Sequence, residues 1–373
     1  MNWSGGMVDA YLIVIDGVLC EEAIVIAPTL HLLEIAKNGV SKNTQKNVAS
    51  DLCAYFENLQ AKGIDWRLVN DNEVSSYLGK TLRLSKGLSD QSIKRNISSI
   101  KGFYKTAVDI GILESEIYLS YNYSAAPSLK HQEGVSGKPN FQLFRQYIHK
   151  DILKNLLASV KAKSPFIRER DELVLKIGYH CGLRACEITS PLNMNTKAIR
   201  KALEEARARK EYGITLPIIG KGHKLRYVDF NPEITTAIRN FIEGRRMALP
   251  EGVLICQANG RPLSESHASR VFKSAKESGL PCIKKTISNY KIDNEYMITF
   301  ESAHKLVFHS LRHTYATNLV KYCYKLSLDP WVYVRDQMGH VKRETTESYI
   351  IFEANIHARD LIRTELSIED ENY

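Results

Sequence analysis

The chain has 373 residues, 44% of them hydrophobic and 25% charged, which excludes a wholly disordered chain, a collagen-like fibre and a coiled-coil rod. A formal net charge of +9 favours an anionic partner, with nucleic acid the first candidate. Seven cysteines, with no C-x-x-C pair and no His cluster at zinc spacing, read as free thiols in a reducing cytoplasm. No apolar run approaches the roughly 18–20 residues of a membrane helix. Tyr11–Ile15 stops at Asp16-Gly17, and the opening residues carry Asp9 but no Lys or Arg, so no signal-peptide pattern is present. We therefore expect a soluble cytoplasmic protein without membrane contact, built from two domains.

Residues 1–27 form a β-rich extension, in which Tyr11–Ile15 and Ala23–Ile26 flank a Gly-bearing connection and suggest a hairpin or two short strands. From Pro28 the pattern turns helical. Ser41 is an N-cap, and Val48, Leu52, Tyr55, Phe56 and Leu59 then share one helix face. Asn70 with Glu73 makes a capping box leading into a short helix through Tyr77 and Leu78. Ser89 caps a further helix with Ile93, Ile97, Ile100, Tyr104 and Ala107 on its apolar side, closed by Gly111. Four such helices make a small domain over 28–119. Lys42 and Lys46 lie off the stripe of the second helix, and Lys94, Lys101 and Lys105 share a face of the fourth beside Arg95. Any one of these is an ordinary solvated charge, but basic stripes on two helices of one domain favour phosphate contact.

Residues 120–140, rich in Ser, Gly and Pro without apolar period, read as a linker. A second domain, 141–373, begins with helices near 145–160 and 166–183. Ile214–Ile219 and Arg226–Phe230 form a hairpin whose tip is basic and glycine-flanked. A helix follows from Pro232 behind Asn231, then a short strand Val253–Cys256, a helix capped by Ser264, and helices over 310–326 and 330–339. The fold class is mainly α with a small antiparallel β-sheet.

Four segments attract chemistry. Gly182-Leu183-Arg184 places a guanidinium at a chain bend, although Arg184 could simply pair with Glu187. Lys221, between two glycines at the hairpin tip, is free to reach a ligand or is merely a soluble turn. His309 and Arg312 share a helix face, a site pair or a surface salt-bridging pair. Gly339-His340 follows a helix end, and Tyr349 comes after a Thr-Thr pair that could cap a new helix.

The order Arg, Lys, His-x-x-Arg, Gly-His, Tyr is far more specific than any part. In it the chain resembles the tyrosine recombinase (phage integrase) family, through GLRACEI, IGKGHKLRYV, HSLRHTYATNL and MGHVKRETTESY. The helical segment before the linker resembles that family's SAM-like core-binding domain, so the resemblance covers about 28–360. It implies a site-specific recombinase acting on double-stranded DNA as a homotetramer, leaves a monomer open for the free form, and calls for neither metal nor cofactor. It implies that Tyr349 is the nucleophile forming a 3′-phosphotyrosine, and that Arg184 and Arg312 clamp the non-bridging phosphate oxygens. Lys221 matches the general acid, His309 and His340 match the groups that hydrogen-bond the phosphate, and Glu187 matches an acidic residue behind the site. The core-binding domain would contact DNA, with Lys42, Lys46, Lys94, Arg95, Lys101 and Lys105 as candidates.

The chain departs from the family in a charged, helix-prone stretch, Lys197–Glu211, where short strands are usual, and this leaves Lys224 as a fallback for Lys221. Residues 283–308 look like an extended approach to His309, and the tail from Ala358 is expected to pack on a neighbouring subunit. Two other functions compete: a type IB topoisomerase-like strand relaxase, and a DNA-binding regulator with a degenerate site.

Overall fold

The computed structural model of the chain describes residues 2–3, 6–7, 9–15, 24–121, 143, 145–289 and 298–354, with the backbone alone at 2–3, 6–7 and 221. It divides into two compact units, within Met1–Gly134 and Val135–Tyr373.

In the first unit, β1 (Asn2–Trp3) pairs antiparallel with β2 (Gly6–Met7). The two β-rich runs that follow form no full strand among the described residues. They meet in a single bridge, Val14 to Ile24, and Ile26 already begins a helix. Buried Ile13 donates its N–H to Thr29 Oγ1 at 3.1 Å, tying the extension to that helix. The helices are α1 (Ile26–Lys37), α2 (Lys42–Ala61), α3 (Asp71–Ser76) and α4 (Asp90–Asp109). Ser41 and Ser89 accept the N–H groups of Thr44 and Ser92, and the Asn70–Glu73 capping box is complete in both directions. Beyond α3 the sequence promised only another turn or so of helix. A π-helical stretch, Tyr77–Ser85, continues instead, burying Tyr77, Leu78 and Leu82. Asp51, buried, accepts from Arg95 Nη2 at 2.7 Å and Ser99 Oγ at 2.9 Å, joining α2 to α4. The linker segment 122–140 lies outside the described residues.

The second unit is helical around one hairpin. Its helices are α5 (Lys150–Ala158), α6 (Pro165–Cys181), α7 (Ala185–Thr189), α8 (Thr196–Ala208), α9 (Pro232–Glu243), α10 (His267–Ser288) and α11 (Phe300–His304), followed by α12 (Phe308–Lys325), α13 (Pro330–Met338) and α14 (Arg343–Glu353). Strands β3 (Ile214–Ile219) and β4 (Leu225–Phe230) pair antiparallel, Ile214 opposite Phe230 and Ile219 opposite Leu225. The charged stretch is indeed a helix: α8 buries Ile199, Leu203 and Ala206 along one side, against β3, and turns its charges outward. Val253–Cys256 is not a strand but two isolated bridges, to Asn195 and to Pro262. Ser264 does not cap α10, which starts at His267 and continues through Pro281 to Ser288.

Helix α12 is the hub, packing on α6, α13 and α14. Its buried face comprises Leu311, Thr314, Tyr315, Ala316, Leu319 and Val320. Where α6 ends, Gly182 takes a left-handed φ of 61°, and any Cβ there would lie 2.3 Å from Tyr315 Cδ1. This single position lets α6 turn sharply against α12 and emerge as Arg184. Gly182→Ala therefore combines a left-handed penalty of about 1–2 kcal/mol with overpacking of roughly 1–3 kcal/mol. Urea unfolding should show a loss of about 2–5 kcal/mol.

Candidate active site

Two helix ends and one helix interior bring the cationic side chains together. Arg184 follows the Gly182 turn and N-caps α7, with its own N–H donating to Glu187 Oε2 at 2.8 Å. Its Nη1 reaches Glu187 Oε1 at 2.7 Å. The pairing with Glu187 that the sequence left open is therefore present, and the Arg184 side chain remains 29% exposed while paired. The same carboxylate accepts Arg226 Nη1 at 2.9 Å and Nη2 at 2.7 Å from β4. Glu187 is 2% exposed and Arg226 8%. A fork-to-fork pair in that setting is rigid as well as strong.

Arg312 is held differently. Buried inside α12, it donates Nη1 to Gly182 O at 2.5 Å and Nη2 to Met338 O. These are carbonyls at the ends of α6 and α13, where helical partners run out and the helix dipole is negative. Burial, then the Arg184 charge, pushes Arg312 down to about 9, so it stays cationic at neutral pH. Among the described residues no carboxylate hydrogen-bonds it, which leaves its charge available to an anion.

The left-handed Gly339 ends α13 and delivers His340, whose Nδ1 meets Thr346 Oγ1 at 3.0 Å. The Thr pair does not cap a new helix. Helix α14 begins at Arg343, so Thr345 and Thr346 sit in its first turn, and buried Thr346 is the His340 partner. Tyr349 on α14 is 3% exposed; the His340 ring stacks on it at 5.7 Å and 9°. Its hydroxyl lies 2.5 Å from Nδ1 of His313. His309, one turn earlier on α12, packs edge-on against His313 at 4.6 Å. Burial lowers all three imidazoles, His309 to about 4 and His313 and His340 to about 3, with neighbouring Arg312 adding to each. They are neutral at physiological pH, so the positive charge here belongs to the arginines. Burial raises the Tyr349 hydroxyl to about 12, with Arg312 opposing it.

The hairpin tip borders this cluster. A Cβ on Gly220 would lie 2.9 Å from Arg226 Nη1, 3.2 Å from Glu187 Oε1 and 3.4 Å from Arg184 Nη1. Asn193 fixes the strand just before it, accepting from Ile219 N–H at 2.8 Å and donating to Ile219 O at 3.1 Å. Lys221 is the next residue after Gly220; its side chain lies outside the described residues. Lys224, exposed, lines an open cleft of about 1090 Å³ together with Arg184, Gly220, Arg226, His340 and Lys342. Among the described residues no cluster of three or more His, Cys, Asp or Glu is placed to hold a metal ion.

The structure therefore brings Arg184, Glu187, His309, Arg312, His340 and Tyr349 into one neighbourhood. The basic residues of the first unit differ among themselves. Lys46, Lys94 and Lys105 are exposed, and Lys101 lies 5.9 Å over the Tyr121 ring. Lys42 pairs with Asp9 at 2.7 Å, and Arg95 is committed to Asp51. Three participants escaped the sequence: Arg226, His313 and Gln337. Arg226 stood at an inward position of an alternating strand, a place for an apolar residue, and that was its signal. His313 follows His309 by one helical turn. Gln337 had no signal; its side-chain oxygen accepts from Asp229 N–H at 2.9 Å and its carbonyl from Arg226 Nε at 3.0 Å, fastening β4 to α13.

Burial raises the Glu187 carboxyl, but the Arg226 hydrogen bonds and charge, then Arg184, overcome this and hold it at about 2, below its ordinary 4.5. Its stabilisation is complete above about pH 4.5 and fades as pH falls toward 2. Glu187→Ala should cost about 3–5 kcal/mol by stranding Arg226. Glu187→Gln should flatten the acid limb of the stability profile, measured by denaturant unfolding across that pH range.

Two family models match the chain: the phage integrase family over residues 146–354, and the phage integrase N-terminal SAM-like domain over 30–111. Tyrosine recombinase XerC of Chlorobaculum tepidum is 28% identical over 330 residues, covering 85% of this chain and 87% of that protein. Among solved structures, XerH site-specific recombinase bound to palindromic difH substrate in a post-cleavage complex is similar in fold, with TM-score 0.57 and 16% identity, over 92% of this chain and 85% of that one. A lambda integrase tetramer bound to a Holliday junction gives TM-score 0.53 and 13% identity, over 85% of this chain and 77% of that one.

Proposed function

The chain belongs to the phage integrase family of tyrosine recombinases, and from that premise we propose that it cleaves and rejoins double-stranded DNA at specific sites through a 3′-phosphotyrosine intermediate. One observation carries the proposal: Arg184, Arg312, His309, His340 and Tyr349, drawn from separate chain segments, stand around a single cationic centre. Tyr349 Oη attacks the scissile phosphorus, the bond to the 5′-oxygen breaks, and that oxygen takes a proton from Lys221, with Lys224 the fallback. Arg184 and Arg312 hold the non-bridging oxygens, where negative charge grows in the transition state. His309 and His340, being neutral, serve as hydrogen-bond partners of the phosphate and not as counter-charges. Glu187 does not touch the DNA; it orients Arg184. The phosphotyrosine conserves the phosphodiester energy, so rejoining needs no ATP.

In this proposal the chain runs as an extension (1–27), a core-binding domain (28–119), a linker (120–140) and a catalytic domain with its tail (141–373). The exposed lysines of the first unit contact the DNA backbone, and the enzyme works in the cytoplasm as a homotetramer on DNA. Lambda integrase assembled as a tetramer on a Holliday junction supports that assembly.

Tyr349→Phe should abolish the covalent adduct on a nicked suicide substrate, resolved on denaturing gels, and leave DNA affinity nearly intact. Arg184→Ala should slow adduct formation by about 10²–10³-fold. Joining of two duplexes supports recombination, relaxation without joining supports a topoisomerase, and binding without any adduct supports a regulator.

A further inference from the structure

His313 occupies a position that none of these roles uses. It adjoins Arg312 on α12, and its Nδ1 lies 2.5 Å from the Tyr349 hydroxyl oxygen. The other imidazoles meet Tyr349 differently. The His340 ring lies parallel to the phenol ring, face to face, with its Nδ1 engaged by Thr346. His309 packs its ring against His313 itself. Glu187 is occupied by two arginines. Among the described residues, His313 is the side chain placed to hydrogen-bond the nucleophilic oxygen.

We propose that His313 is a further catalytic residue, the base that accepts the phenolic proton when Tyr349 attacks. This rests on the recombinase function proposed above. As the Oη–phosphorus bond forms, the phenolic proton passes to His313 Nδ1. The bond from phosphorus to the 5′-oxygen breaks, and the general acid protonates that oxygen. On rejoining, the 5′-hydroxyl attacks and yields its proton to the deprotonated general acid, the phosphorus–Oη bond breaks, and His313 returns its proton to Tyr349. Burial, with the Arg312 charge adding to it, keeps His313 neutral at physiological pH and its lone pair free. A weak base suffices, because the phenolic proton becomes strongly acidic only as the new bond forms, and such transfers contribute about 10²–10⁴-fold. Arg312, the next residue, draws the phosphate to the same end of the helix.

The test compares two suicide substrates, one with an ordinary 5′-bridging oxygen and one with sulfur there, whose thiolate leaves without protonation. Both carry the DNA sequence on which the wild-type full chain forms its adduct. His313→Asn keeps a polar atom near Nδ1 but no base. It should form adduct at least about 100-fold more slowly on both substrates, with DNA affinity unchanged. Lys221→Ala, in contrast, should be slow on oxygen and restored by sulfur. A His313→Asn rate close to wild type, or a defect cured by sulfur, overturns the proposal. His313→Gln is measured in parallel, and loss of DNA binding in both variants also overturns it, in favour of packing. Absence of any wild-type adduct would instead sink the recombinase function.

Discussion

The Glu187 carboxylate is the constraint on which the site depends. Arginines repel one another, and burying them without a counter-charge costs several kcal/mol each. Glu187 grips Arg226 with both oxygens and Arg184 with one, while its own position is fixed by the N-terminal turn of α7. Arg226 in turn reaches the Gln337 carbonyl, so one carboxylate links the α6–α7 bend, the hairpin and the end of α13. Arg312 closes the same circuit through backbone carbonyls of α6 and α13. The cations are oriented before any anion arrives, which is what electrostatic preorganisation requires.

The arrangement also divides labour between charge and hydrogen bonding. Burial strips the imidazoles of charge, while the arginines keep theirs. The proposed nucleophile is sheltered: Tyr349 is almost fully covered, its oxygen bound to His313 and its ring under His340. A covered phenol with a raised pKa is unreactive toward stray electrophiles.

Much of this was legible in the sequence, and for physical reasons. Ser41, Asn70 and Ser89 announced their helices because caps are local chemistry, read within three or four residues. The hairpin declared itself by alternation, and α8 by the spacing of Ile199, Leu203 and Ala206. Non-local features were lost. The runs at Tyr11–Ile15 and Val253–Cys256 have β composition, yet among the described residues each yields only isolated bridges. Of the site, the residues proposed to face the phosphate stood out by their order in the chain. Arg226, Gln337 and His313 act across separations of 39, 108 and 36 residues, to Glu187, Asp229 and Tyr349, and only folding reveals those partners.

The central claim is that one phenol stands at the focus of these cations and is the atom that receives the DNA. Peptide mapping by mass spectrometry of the trapped protein–DNA adduct tests it directly. The account predicts a nucleotide mass on the tryptic peptide containing Tyr349, with fragment ions placing it on that side chain. A nucleotide on any other tyrosine, or on a serine or histidine, would contradict it.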